Sequence, residues 1–146
     1  ISEAFIKYLG NGKIEDLNSH QLDIREVIDL AKQSQSLIFL AHPHTLMSNN
    51  SSSKRNNWVN NQFNNYLNDL KSFGIDGVEV YYPGYSASTR DSLLGLLSDN
   101  DLMASGGSDF HGENKPNNLL GIGYENNPIK VPSNLLYEME DAHAKL

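Results

Sequence analysis

Residues 37–44 read LIFLAHPH. Five consecutive apolar side chains, from Leu37 to Ala41, leave no polar face, so the run predicts a strand buried on both faces as in a parallel sheet. It stops at His42, Pro43 and His44, where proline fixes the backbone just after an imidazole. Two further short apolar runs follow, GVEVY at residues 77–81 and LMA at residues 102–104.

Helical spacing fills the intervals. Asp23 and Glu26 are spaced as a capping box, and Ile24, Val27, Ile28 and Ala31 recur on one face, predicting a helix over residues 23–33. Trp58, Val59, Phe63, Tyr66, Leu67, Leu70 and Phe73 form the stripe of a second helix, which Gly74 stops. After the turn at Pro83 and Gly84, Leu93, Leu94, Leu96 and Leu97 mark a third, and residues 133–145 a last one with Ser133 as N-cap. Ala4, Phe5, Ile6, Tyr8 and Leu9, ahead of Gly10 and Gly12, suggest a short opening helix and a turn. Residues 48–57 (SNNSSSKRNN) cannot bury apolar area and are expected to form a mobile loop.

Strands alternating with helices predict an α/β fold built on a parallel sheet with crossover helices. In such folds chemistry gathers beyond the carboxyl ends of the strands. That rule selects His42-Pro43-His44 after the first strand and Ser108-Asp109-Phe110-His111 after the third.

The chain has 146 residues, enough for one domain, with 18 acidic against 11 basic side chains and a formal charge of -7. Such a field repels polyanions, which argues against electrostatic coating of nucleic acid, though bound metals could reverse its sign in one cleft. With no cysteine, disulfides and thiolate chemistry are excluded, and any metal must bind through His, Asp or Glu. No run approaches the length of a membrane span. The chain opens at Ile1 with no signal-peptide features and reads as a piece of something longer.

Asp109 and His111 form a D-x-H pair whose side chains converge in an extended segment, and mixed nitrogen and oxygen donors suit manganese, iron or zinc. The competing reading is a capping Ser108 or Asp109 and a His111 bonded to a carbonyl. His42 is a credible third ligand or a hydrogen-bonded core histidine, and His44 begins a loop with a role toward substrate or behind the ligands. Glu79, in an apolar strand, needs a partner, either the site or a crossover helix. His20 and His143 read as solvated or capping. Neither a G-x-S-x-G elbow nor a glycine-rich phosphate loop occurs.

The strings AHP (residues 41–43), GVEVYYP (77–83) and SGGSDFHG (105–112), with Lys115-Pro116 and Leu120-Gly121 after them, resemble the PHP family, named for polymerase and histidinol phosphatase. The closest branch is that of small bacterial phosphoesterases acting on nucleotides and short RNAs. Residues 3–13 (EAFIKYLGNGK) resemble the end of its helical insertion, so the resemblance implies an insertion remnant over 1–20 and the carboxyl-terminal part of a distorted (β/α)7 TIM-like barrel over 21–146. It implies a cluster of two or three divalent metals, manganese first and zinc or iron as alternatives, with His42, Asp109 and His111 as ligands and the other ligands upstream. His44, Ser86 and Lys115 become candidates for substrate contact. Where relatives often have a histidine, this sequence has Tyr85 before Ser86.

The function so implied is metal-dependent hydrolysis of phosphate esters by activated water in the cytoplasm, this chain alone being inactive for want of ligands. The alternatives are a binding or scaffold module, whose open strand edges would favour a homodimer, and a histidinol-phosphate-type phosphatase.

Overall fold

Asp23 starts the first described helix, α1 (Ile24–Gln33). Its carboxylate accepts from the Arg25 N–H at 2.9 Å, and Glu26 accepts from the Asp23 N–H at 3.0 Å, which closes the expected capping box. The computed structural model describes residues 22–47, 58–125 and 127–146, with Glu3 and Lys7. The expected opening helix, most of the insertion remnant, His20 and the polar loop at 48–57 lie outside the described residues.

Three strands, β1 (Phe39–Leu40), β2 (Gly77–Tyr81) and β3 (Met103–Gly106), pair in parallel in the order β1-β2-β3. Parallel neighbours require crossovers. The short helix α2 (His44–Met47) and α3 (Asn61–Phe73) lie in the first crossover, and α4 (Ala87–Asp99) forms the second. Glycine is required where the strands touch: a Cβ at Gly77 would overlap the Phe39 ring and the Met103 carbonyl, and one at Gly106 would overlap Tyr81.

Ile28, Phe63, Leu67, Val78, Val80, Leu93 and Leu97 are fully or almost fully buried, so α1, α3 and α4 close on the sheet through the apolar positions that set their periodicity. Trp58 stacks edge-on against Phe63 with ring centroids 4.8 Å apart. Asn60 caps α3, and Gly74, at φ 105°, ends it in the left-handed conformation. Lys32 of α1 donates to the Phe73 carbonyl at 3.2 Å, and Arg25 stands 4.6 Å from the Phe73 ring centroid, tying α1 to the end of α3.

Four details differ from the sequence reading. The first strand has two ladder residues, both half-buried, because β1 has no strand on its outer edge among the described residues, and the Ile38 N–H goes to the Asp76 carboxylate at 2.7 Å. His44 opens α2 rather than a loop, since the Thr45 amide and hydroxyl both bond the His42 carbonyl. Ser133 has helical dihedrals and makes no capping bond at α5 (Asn134–His143). Between β3 and α5 lies an antiparallel meander of β4 (Asn118–Leu119), β5 (Gly123–Tyr124) and β6 (Asn127–Pro128), after a 3₁₀ turn at Gly112–Asn114. No described helix is long and apolar enough to cross a membrane.

Phe63→Ala should cost about 3–5 kcal/mol, against about 1 kcal/mol for Asp23→Ala at the exposed cap. Urea unfolding of both variants tests the ranking, and equal shifts of the midpoint would contradict the core described here.

Candidate functional site

The strands β1, β2 and β3, or the segments that follow them, each deliver one ionisable side chain to the same place. His42 follows β1, Glu79 lies within β2, and Asp109 follows β3. Glu79 Oε2 accepts from the His42 N–H at 2.8 Å and lies 3.8 Å from His42 Nε2. His42 Nε2 is in turn 3.6 Å from Asp109 Oδ1. His42 and Asp109 both adopt left-handed backbone, at φ 46° and 53°, which L-residues disfavour by about 1–2 kcal/mol. Such strain persists only where the surroundings impose it, and here it sits on two expected ligands.

Asp109 is the best-connected residue of the group. Its side chain is 6% exposed, and its Oδ2 takes a charge-assisted bond of 2.7 Å from Lys115 Nζ. The Tyr82 hydroxyl lies 3.4 Å from the same oxygen. Its carbonyl accepts from Asn118 Nδ2 at 2.8 Å, which ties the meander to the site. Burial acts to raise the Asp109 pKa, but the Lys115 bond and charge, with His111 and His42, outweigh it and hold the carboxyl below its ordinary value. Glu79 moves the other way: burial raises its pKa, Asp109 adds to the rise, and the His42 amide and imidazole offset only part of it.

His111 Nδ1 lies 2.7 Å from the Asp109 carbonyl oxygen. A carbonyl can only accept, so Nδ1 carries the proton of this bond and Nε2 is the nitrogen left to face a ligand. His44 is buried, with Nδ1 2.8 Å from the Tyr85 hydroxyl and its ring 5.1 Å from that of Tyr82. The Ser86 hydroxyl caps α4 through the Thr89 N–H at 3.1 Å. His143 is in the last turn of α5.

No family model matches the chain. It is 31% identical over 109 residues to a 5′-3′ exoribonuclease of Haemophilus influenzae, covering 75% of this chain and 36% of that protein. It is 27% identical over 103 residues to a phosphoribosyl 1,2-cyclic phosphate 1,2-diphosphodiesterase of Eggerthella lenta, covering 70% and 34%. Among solved structures, one from Bifidobacterium adolescentis, provisionally named a metal-dependent phosphoesterase, aligns over 94% of this chain and 43% of that one with TM-score 0.60 and 25% identity. The chain is a relative of the PHP-type phosphoesterases. An amidohydrolase of Chromobacterium violaceum shares the fold at TM-score 0.60 and 17% identity, over 97% of this chain and 44% of that one. The chain thus spans about a third of the length of the curated PHP-type relatives it matches.

The donors of this site fit a divalent cation in chemistry. An imidazole nitrogen and a carboxylate oxygen stand close together at His42 and Asp109, and the bond at Nδ1 directs any metal to Nε2 of His111. Among the described residues, no group of three or more His, Asp or Glu side chains is arranged to hold an ion. The sequence singled out His42, Asp109 and His111, and the structure brings His42 and Asp109 within reach of each other while His111 turns back on Asp109. Tyr82, Tyr85 and Asn118 were not anticipated. Glu79 was, but its partner proves to be His42 rather than a crossover helix.

A carboxyl group with a depressed pKa contributes stability above its unfolded value of 3.8, and that contribution is lost as pH falls through the lower folded value. Without added metal, the stability gap between the wild type and Asp109→Asn should therefore narrow below about pH 4. Urea titrations at several pH values test this, and a gap independent of pH would show that the Asp109 ion is not stabilised by its neighbours.

Proposed function

We propose that this chain carries part of the active site of a metal-dependent phosphoesterase that hydrolyses phosphate esters of nucleotides or short oligonucleotides. The observation that carries this reading is the convergence of His42 and Asp109, from beyond two parallel strands, with Glu79 of the strand between them, at 3.6–3.8 Å from His42 Nε2. The names of the curated relatives, an exoribonuclease and a cyclic phosphodiesterase, support phosphate esters on ribose as the substrate class. In this reading β1, β2 and β3 belong to a distorted (β/α)7 barrel.

His42 through Nε2, Asp109 through Oδ1 and His111 through Nε2 would hold divalent metal, manganese first and zinc or iron as alternatives, with donors from outside the described residues completing the set. The metal would supply a water of lowered pKa and counter-charge for the phosphoryl oxygens. Glu79 fixes the direction of His42 through its backbone amide. Lys115, half-exposed beside Asp109, offers a charge-assisted bond to a phosphate oxygen. His44, oriented by Tyr85, forms a wall of the site, whereas the Ser86 hydroxyl is engaged in capping α4.

In the complete gene product, Asp109→Ala is expected to lower hydrolysis of short RNA and nucleoside monophosphates by at least about a hundredfold while circular dichroism stays that of the wild type. Chelation should abolish wild-type turnover and manganese should restore it. Turnover by Asp109→Ala near the wild-type rate, or turnover indifferent to chelation, would overturn the assignment.

A further inference from the structure

Open space lies beside the meander that Asn118 ties to Asp109. A cavity of about 220 Å³ is lined, among the described residues, by Lys115, Pro116, Asn117, Asn118 and Tyr124. A larger one of about 530 Å³ shares Pro116, Asn117 and Tyr124 and adds Leu119 and Glu125. Lys115 lies on the boundary, since its ammonium is also the group 2.7 Å from Asp109 Oδ2.

We infer that this cleft is the subsite for the nucleoside part of the substrate, Lys115 taking the phosphate and Tyr124 stacking on the base. The inference rests on the phosphoesterase reading and extends it to a specificity-determining residue. Its first support is register. Asn118 opposes Tyr124 across the β4–β5 pair, so the two side chains share one face of the ribbon, and the Asn118 bond to the Asp109 carbonyl fixes that face relative to the site.

The second is charge order. Lys115 stands at the end next to Asp109 and Glu125 in the larger cavity, so an anion is drawn to the first end and repelled from the second, where a neutral ring with N–H donors is favoured. The third is composition. A half-buried tyrosine and an exposed amide suit a flat, apolar-faced and polar-edged ring, and stacking on aromatic side chains is the common means of holding an unpaired base.

Titration of the full isotope-labelled chain with adenosine 5′-monophosphate, ribose 5-phosphate and inorganic phosphate, followed by amide NMR, tests the inference. Adenosine 5′-monophosphate is expected to move the amides of Asn117, Leu119, Tyr124 and Glu125, and inorganic phosphate only those around Lys115. Tyr124→Ala should weaken nucleotide binding about tenfold, to the level of ribose 5-phosphate, with Tyr124→Phe within about twofold of the wild type. Should the alanine variant lose its dispersed spectrum, Tyr124→Leu, which keeps the apolar bulk without the ring, should show the same tenfold loss. Equal affinity for the nucleotide and ribose 5-phosphate, with shifts confined to Lys115 and its neighbours, would overturn the subsite and leave the phosphoesterase reading standing. No shift from any of the three would overturn the subsite together with the phosphate role of Lys115.

Discussion

A carboxylate within an apolar strand must be satisfied, and Glu79 is satisfied by the backbone amide of His42. That bond joins the end of β1 to β2 beyond their two-residue ladder. β1 is short and has no described strand on its outer side, so the chain leaving it has few other restraints. With the His42 amide held, its carbonyl is placed to accept from the Thr45 amide and hydroxyl, which starts α2 and buries His44 under Tyr82 and Tyr85. One hydrogen bond therefore fixes the direction of an imidazole, the start of a helix and an aromatic wall.

The left-handed conformations of His42 and Asp109 follow from the same geometry. A strand that continued straight past Leu40 or Gly106 would carry its side chains away from the neighbouring strand end. A reversal of φ turns each chain back over the sheet, at about 1–2 kcal/mol for an L-residue. At His42 the following Pro43 also excludes ordinary helical backbone. Glycine would relieve the strain and remove the side chain with it; Gln35 and Asp101 share this backbone elsewhere, but at His42 and Asp109 the strained residues carry side chains that meet 3.6 Å apart.

What the sequence disclosed, and what it hid, follows the range of the forces involved. The capping box at Asp23, the stop at Gly74 and the three apolar runs depend on neighbours within a few residues, and all were legible. The positions of His42 and Asp109 were legible too, because residues that end buried strands in a parallel sheet must emerge on one side. The contact between His44 and Tyr85 spans 41 residues and leaves no trace in local spacing. The meander was hidden for another reason: two-residue strands have no period, and their register depends on turns where Gly121 and Gly123 have positive φ. The left-handed backbone of His42 and Asp109 was not legible, because histidine and aspartate do not announce such backbone as glycine does.

Charge explains why the carboxylates of this cluster are paired with cationic groups. The chain carries -7 overall, and at the site burial, with the nearby Asp109 charge adding to it, raises the Glu79 pKa. Asp109 nevertheless stays ionised, because the Lys115 ammonium lies against Oδ2 while Oδ1 faces His42. One carboxylate thus has a committed oxygen and an available one. A divalent ion at Oδ1 would add positive charge without displacing Lys115, leaving two cationic centres on one carboxylate. Between them an acidic protein would present a local field of the sign a phosphate requires, as the proposed function needs, with the carboxylate between the two cations.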